Sequence, residues 1–162
     1  MVGRSRTGQG TNRGDSESET LLLFDIDGTL IRGSVAGQTA YIRTMQSMYH
    51  ATVDLRNMQI SGKTDLINLR NLLESCELDP RLAEDDGLIA TYLHHLAEAV
   101  QADPGVMCPG VGCLLDTLVG QTEMRLALGT GNLEAGARIK LAAHNLNAYF
   151  ATGGFGSDAT ER

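Results

Sequence analysis

The chain has 162 residues, which suits one domain of ordinary size with room for a sizeable hydrophobic core. Hydrophobic residues make up 42% and charged residues 20% of it, a balance typical of globular proteins. The formal net charge of −7 excludes a general attraction to nucleic acid or to acidic membranes, so an anion would need local donors or a metal ion.

The cysteines and the hydropathy pattern bear on the cellular compartment. Cys76, Cys108 and Cys113 form neither a CxxC pair nor a spacing typical of metal ligands. Their odd number, with no secretory signal ahead of them, predicts reduced thiols and a cytoplasmic protein. No apolar run approaches the roughly 18 residues that a membrane-spanning helix requires, so no membrane partner is expected.

The first twenty residues are rich in glycine, serine, threonine, arginine and glutamate and contain no aromatic residue. Such a segment buries too little apolar surface to offset its ordering entropy, which predicts a disordered tail over residues 1–20. The apolar run at residues 21–24 then ends in aspartate and glycine, as is typical of a buried strand that leads into a loop.

Three amphipathic helices follow this strand. Apolar residues recur at intervals of three and four over residues 36–49, 66–76 and 88–100. Thr64 and Asp65 are both plausible N-caps for the second of these helices.

The second half of the chain returns to an alternation of strands and helices. Two Pro-Gly pairs mark residues 104–110 as a linker, and a short helix is predicted near 113–118. A strand over 125–128, a helix over 133–144 and a further strand near 149–152 come next. This order predicts an α/β domain with a parallel sheet.

The most informative segment is LLLFDIDGTLI at residues 21–31. Side chains two apart on a strand point the same way, so Asp25 and Asp27 can converge beyond its carboxyl end, where open α/β sheets bind ligands. Two adjacent carboxylates stay ionised more easily beside a cation, which implies a hard divalent metal such as Mg²⁺. One carboxylate could attack phosphorus while the other handles protons. The alternative is a turn at Asp27-Gly28 with Asp25 solvated at the strand end.

The full pattern of four apolar residues and DxDGTL resembles the first motif of phosphatases and phosphomutases in the haloacid dehalogenase superfamily. The resemblance implies that Asp25 is the nucleophile that forms an aspartyl-phosphate. It implies that Asp27 protonates the leaving group and later activates water. Both aspartates would take part in binding the metal.

The segment LALGTGN at residues 126–132 resembles the second motif of that superfamily. A helix that begins directly after a strand can bind phosphate through its free N–H groups and dipole, although a cap without a ligand is the alternative. The resemblance implies that Thr130 donates its hydroxyl and Gly131 its amide to the phosphoryl group. Asn132 would help to position the site.

The third motif of the superfamily is a basic residue near the phosphate, for which the chain has two candidates. Lys140 lies within a predicted helix, where a solvated surface lysine is the commoner outcome. Arg162 follows the segment 155–158, and related sequences often place the basic residue shortly after such a loop. The resemblance therefore favours Arg162 over Lys140.

The resemblance implies a Rossmann-like parallel sheet with an inserted helical cap. The core would comprise residues 21–34 and 105–162, and the cap residues 35–104. Lys63 falls where a substrate-selecting cap loop would lie, although an exposed lysine at a helix start explains it equally well. His94 and His95 are consecutive on a predicted helix, which predicts different faces and no metal binding.

No acidic pair of the kind that forms the fourth motif follows Phe155. The last core strands are therefore expected to be missing, and the chain is interpreted as a fragment or a truncated product. The strand at residues 21–25 would then form an exposed edge with an apolar sequence, which natural edges usually avoid.

These expectations combine into a magnesium-dependent phosphohydrolase that acts on a small phosphorylated metabolite. A phosphomutase and a non-catalytic remnant of such an enzyme are the alternatives. A third possibility is that another subunit or a fused segment supplies the missing strand by pairing with the edge.

Overall fold

The structure, a computed structural model, describes residues 19–158. Most of the predicted tail and Arg162 lie outside these residues, although Thr20 already belongs to the first strand. The first half of the described chain contains β1 (Thr20–Phe24), β2 (Ile31–Arg32), α1 (Ala36–Tyr49), α2 (Asp65–Ser75) and α3 (Asp86–Ala102). The second half contains β3 (Val106–Met107), α4 (Val111–Val119), β4 (Met124–Gly129), α5 (Glu134–Ala142) and β5 (Gly153–Gly154).

The main sheet is parallel and has the strand order β1-β4-β5. Phe24 pairs with Leu128, so β1 and β4 end side by side. The predicted α/β class with a parallel sheet is therefore confirmed. The sheet also places the loops that follow β1 and β4 at the same edge, where the chemistry predicted from both motifs would have to meet.

The sequence predicted a strand near residues 149–152, and this position is wrong. The segment Asn147–Tyr149 forms a 3-10 turn, and β5 is the pair of glycines that follows it. A Cβ atom on Gly153 would lie 2.7 Å from the Cβ of Leu128, so this strand can approach β4 only through glycine. The aromatic residue Phe150 lies instead in the core, against Phe24.

A small second sheet involves residues 104–110, for which the sequence predicted only a linker. β2 and β3 pair antiparallel, with Ile31 opposite Met107 and Arg32 opposite Val106. This ribbon joins the two connections between the sheet and the helices, because β2 precedes α1 and β3 follows α3.

The helices form where the pattern of apolar residues predicted them, and α1 packs along α3. Thr64 is confirmed as the N-cap of α2, since its hydroxyl accepts a hydrogen bond from the N–H of Ile67. Asp85 caps α3 in the same way and accepts from Gly87 and Leu88. None of the helices in the described part of the chain is long and apolar enough to cross a membrane.

Two hydrophobic clusters stabilise the molecule. One lies among α1, α2 and α3, and the other packs between the sheet, α4 and α5. Residues at α5 contribute to both, with Leu133 in the first cluster and Leu141 in the second. The start of α5 is therefore the place where the helical layer contacts the sheet layer.

β1 lies at the edge of the described sheet, because within residues 19–158 it pairs with β4 alone. Leu21 is 59% exposed and Leu23 is 65% exposed. The described residues thus contain the exposed apolar edge that the sequence predicted.

Candidate active site

A cavity of about 230 Å³ lies where the ends of β1 and β4 face the helical layer. The sheet side supplies Asp25, Asp27, Thr130, Gly131, Asn132 and Lys140, and the helical side supplies Ser34, Gly37, Gln38, Tyr41, Ile60, Ser61, Gly62, Lys63, Asp65, Asn68 and Tyr92. All the site residues predicted from the sequence line this cavity, apart from Arg162, which lies outside the described residues.

The turn after β1 directs both aspartates into the cavity. The carbonyl of Ile26 accepts hydrogen bonds from the N–H groups of Leu30 and Ile31, while the Ile26 side chain is fully buried. Gly28 adopts a φ of 87°, in the left-handed region that glycine tolerates best. β1 ends at Phe24, so Asp25 and Asp27 lie in the turn that follows it, and both line the cavity while the intervening Ile26 is buried.

Asp27 is held by two donors from the second half of the chain. The Lys140 ammonium lies 2.8 Å from each carboxylate oxygen, and Asn132 Nδ2 donates to Oδ2 at 2.8 Å. The Lys140 side chain is 14% exposed, so the interpretation of a solvated surface lysine is wrong. Lys140 lies about one and a half turns after the start of α5. The Lys140 ammonium faces the loop that follows β1.

The loop after β4 is held together by Asn132. Its side-chain amide donates to Thr130 Oγ1 at 2.7 Å, and its backbone N–H approaches the same oxygen at 3.3 Å. A hydroxyl that accepts two hydrogen bonds must direct its own proton elsewhere. The Oδ1 atom of Asn132 is buried and has no hydrogen-bond partner among residues 19–158.

Gly131 is needed because the helical layer approaches this loop closely. A Cβ atom there would lie 2.6 Å from the carbonyl oxygen of Lys63, and Gly131 accepts a hydrogen bond of 2.8 Å from the N–H of Asp65. The half-buried Lys63 thus lies beside the predicted phosphate loop.

Asp65 is the residue of this region that the sequence analysis considered only as a possible cap. Its buried carboxylate accepts from the backbone N–H of Leu133 at 2.8 Å and from the Tyr41 hydroxyl at 2.6 Å. Burial raises the pKa of Asp65, an effect opposed by the charge of Lys140 and by both hydrogen bonds. Burial and the Asp65 charge raise the pKa of Tyr41 well above its ordinary value.

Leu133 is the N-cap of α5 and its own side chain cannot accept a hydrogen bond. Asp65 therefore supplies, from another layer of the molecule, the acceptor and the negative charge that a helix start favours. The sequence shows that Asp65 directly follows Thr64, the N-cap of α2. It does not show that the partner of Asp65 is Leu133, because the two residues are far apart in the chain.

Solved structures with similar folds provide the comparison. A proposed phosphoglycolate phosphatase of Lactobacillus plantarum superposes with a TM-score of 0.57 at 18% identity, over 90% of this chain and 65% of that one. A proposed β-phosphoglucomutase of Thermotoga maritima gives 0.53 at 22% identity, over 88% and 63%. A haloacid dehalogenase-like hydrolase of Streptococcus pneumoniae gives 0.53 at 18% identity, over 85% and 61%.

These likenesses confirm the predicted resemblance at the level of the fold, an α/β sheet layer with an added helical layer. The chain spans between 61% and 65% of the length of these three proteins. No protein-family model and no curated protein sequence matches the chain.

Proposed function

We propose that this chain, which has the fold of the haloacid dehalogenase-like hydrolases, carries the phosphoryl-transfer site of a magnesium-dependent phosphohydrolase. The observation that supports this most directly is the contact of Asp27 with both Lys140 and Asn132. It joins the two separate motifs into one site with paired carboxylates, a cation and a hydroxyl. Such a set fits the binding and transfer of a phosphate group.

In the first step, a carboxylate oxygen of Asp25 attacks phosphorus, and the bond from phosphorus to the leaving-group oxygen breaks. Asp27 donates a proton to that oxygen, so an alcohol leaves. In the second step, Asp27 removes a proton from water as the water oxygen attacks phosphorus. Inorganic phosphate leaves, the Asp25 carboxylate is restored, and Asp27 is again protonated.

The phosphoryl oxygens are assigned to the loop after β4 and to Lys140. The Thr130 hydroxyl accepts from Asn132 and so keeps its own proton for a phosphoryl oxygen, and the Gly131 amide lies just before the start of α5. We assign the role of the third-motif cation to Lys140, because its ammonium already lies beside Asp27. In the substrate complex this ammonium would be shared between Asp27 and the phosphoryl oxygens.

The donor set fits Mg²⁺, which prefers oxygen ligands and is often bound through one or two carboxylates together with substrate phosphate. Asp25 would supply a carboxylate and Asp27 a carboxyl oxygen that does not carry the transferred proton, and the buried Oδ1 atom of Asn132 is a further oxygen that lacks a partner among the described residues. When bound, Mg²⁺ would offset the charge between the phosphate and the nucleophile.

The substrate is proposed to be a small phosphorylated metabolite, because the cavity is closed on one side by the helical layer. Lys63, Gln38, Tyr41 and Asn68 line the helical side of the cavity, where a leaving group would lie. A phosphomutase would use the same first step, and it would return the phosphoryl group to a hydroxyl of the substrate instead of to water.

The test is hydrolysis of an aryl phosphate by this chain with and without Mg²⁺. We expect metal-dependent release of phosphate that Asp25→Asn abolishes. The matched control is Asp86→Asn, which makes the same chemical change at an exposed residue outside the cavity and should leave the rate unchanged. A folded wild-type sample without metal-dependent turnover would contradict the proposal and favour a non-catalytic remnant.

A further inference from the structure

A cluster of metal-ligand side chains lies on α3, outside the proposed active site. His94 Nε2 is 3.5 Å from Glu98 Oε1, and His95 Nδ1 is 3.4 Å from Glu98 Oε2. The three ligand atoms all lie within 4.8 Å of one another. The sequence predicted different helix faces for His94 and His95, but both rings reach Glu98, which lies four residues after one and three after the other.

The distances between these atoms suit a tetrahedral metal ion. Bonds of about 2.0–2.1 Å from Zn²⁺ to histidine and carboxylate ligands place neighbouring ligand atoms about 3.4 Å apart. The two contacts of Glu98, at 3.4 and 3.5 Å, are of this size, and each is made by a different oxygen of the carboxylate. A fourth position would remain open to water, since His94 and Glu98 are exposed.

The His95 ring is oriented by a residue of the neighbouring helix. Its Nε2 atom lies 3.2 Å from Ser47 Oγ, and the Ser47 hydroxyl donates to the carbonyl of Thr44. In the tautomer in which Nε2 carries the proton, His95 donates to Ser47 and the lone pair on Nδ1, which lies 3.4 Å from Glu98 Oε2, is available to a metal ion. Metal-bound histidines are commonly held by such a hydrogen bond through their other ring nitrogen.

A guanidinium competes for the same carboxylate. Arg43 Nη1 lies 3.5 Å from Glu98 Oε2, and the Arg43 side chain is 49% exposed. Because an exposed ion pair of this kind contributes little, the arginine can turn into solvent when another cation arrives.

We propose that His94, His95 and Glu98 form a binding site for a divalent transition-metal ion of the Zn²⁺ type, with Ser47 as a positioning residue. The three ligands and their hydrogen-bonded support join α3 to α1. A bound ion would therefore fix one side of the helical layer that covers the cavity.

The test is calorimetric titration of the full chain with Zn²⁺, in excess Mg²⁺ and with a phosphine reductant that protects the thiols. We expect one equivalent of Zn²⁺ to bind, with His94→Gln and His95→Gln weakening it about tenfold or more. Ser47→Ala should weaken it about tenfold, in the range typical of lost support to a metal ligand. Arg43→Gln should strengthen it, because the competing cation is removed.

The matched control is His50→Asn, which removes an imidazole at the exposed end of α1 and suits the positive φ of 54° there. Absorption spectra with Co²⁺ provide a second measurement, since a site without thiolate lacks the near-ultraviolet sulfur charge-transfer band. Unchanged Zn²⁺ affinity in His94→Gln, or a thiolate band in the Co²⁺ spectrum of the wild type, would overturn the proposal. His94 is largely exposed, so its substitution should not disturb folding.

Discussion

The Asp65 carboxylate accepts a hydrogen bond of 2.8 Å from the backbone N–H of Leu133, a residue 68 positions away. This bond connects the start of α2 to the start of α5, and α5 also carries Lys140. The geometry of the proposed phosphate loop thus depends on a buried carboxylate of the helical layer.

Replacing Asp65 by leucine should lower the free energy of unfolding by about 2–4 kcal/mol, because the N–H of Leu133 and the hydroxyl of Tyr41 would both lose their acceptor in a buried place. Asp65→Asn keeps one oxygen and should cost less than about 1.5 kcal/mol. Urea unfolding of the two variants beside the wild type measures the difference. Equal stability of the leucine and asparagine variants would contradict the assigned role.

The stability of the protein should carry a pH dependence that originates at Asp65. Burial raises its pKa in the folded state above the ordinary value of 3.8. From 3.8 up to the raised pKa, the folded state binds more protons than the unfolded state, so this contribution to stability falls as the pH rises and then levels off. The free energy of unfolding of the wild type and of Asp65→Asn is measured at several pH values. The difference between the two isolates the contribution of Asp65.

Asp54 provides a control of opposite sign for the pH experiment. Hydrogen bonds from Arg56 lower the pKa of Asp54, so its contribution should be lost as the pH falls and not as it rises. If the stability of the wild type relative to Asp65→Asn rises with pH, a raised pKa of Asp65 is not the cause.

Lys140→Gln should reduce the rate of aryl phosphate hydrolysis by about 100- to 1000-fold, the loss typical when one donor to a developing negative charge is removed. The contact with Asp27 would also be lost. Lys63→Gln is the comparison, because Lys63 faces the leaving-group side and should alter KM for larger substrates more than kcat for an aryl phosphate. Equal kcat values in the wild type and Lys140→Gln would show that another residue supplies the cation.

Much of this architecture followed from local patterns in the sequence. The helices α1, α2 and α3 have apolar residues on one face, and β1 and β4 are apolar runs that end in small polar turns. β2 and β3 have two residues each, which is too short for any periodicity to develop, and their pairing depends on contacts far apart in the chain.

The residues of the site that the sequence did not predict are those whose positions depend on tertiary packing. Lys140 could not be assigned from its sequence, because the inward face of α5 depends on how α5 packs against both layers. The role of Asp65 depends on a partner 68 residues away. Asp25 and Asp27 were identified because they directly follow an apolar strand in the pattern DxDGTL, which is local in the sequence.

Gly131→Ala should lower the free energy of unfolding by about 1–3 kcal/mol, the usual cost of forcing an extra methyl group into packed structure. The new Cβ would lie 2.6 Å from the Lys63 carbonyl oxygen and 3.2 Å from the Cα of Thr64, so a backbone segment must move. Gly112→Ala is the matched control within α4, where the nearest atom is a flexible Met107 methyl group at 3.6 Å. It should raise stability by about 0.5–1 kcal/mol through helix propensity.

The exposed edge of β1 should make the chain self-associate. Unpaired N–H and C=O groups on an apolar edge strand favour pairing with another strand, and Leu21 and Leu23 are both largely exposed. Leu21→Lys should therefore shift the mass measured by light scattering at high concentration toward the monomer. Leu114→Lys, at a residue that is 47% exposed on α4, adds the same charge away from the edge and should not. If both substitutions act equally, net charge and not the strand edge controls association. A wild type that stays monomeric at every concentration would show that this edge does not pair.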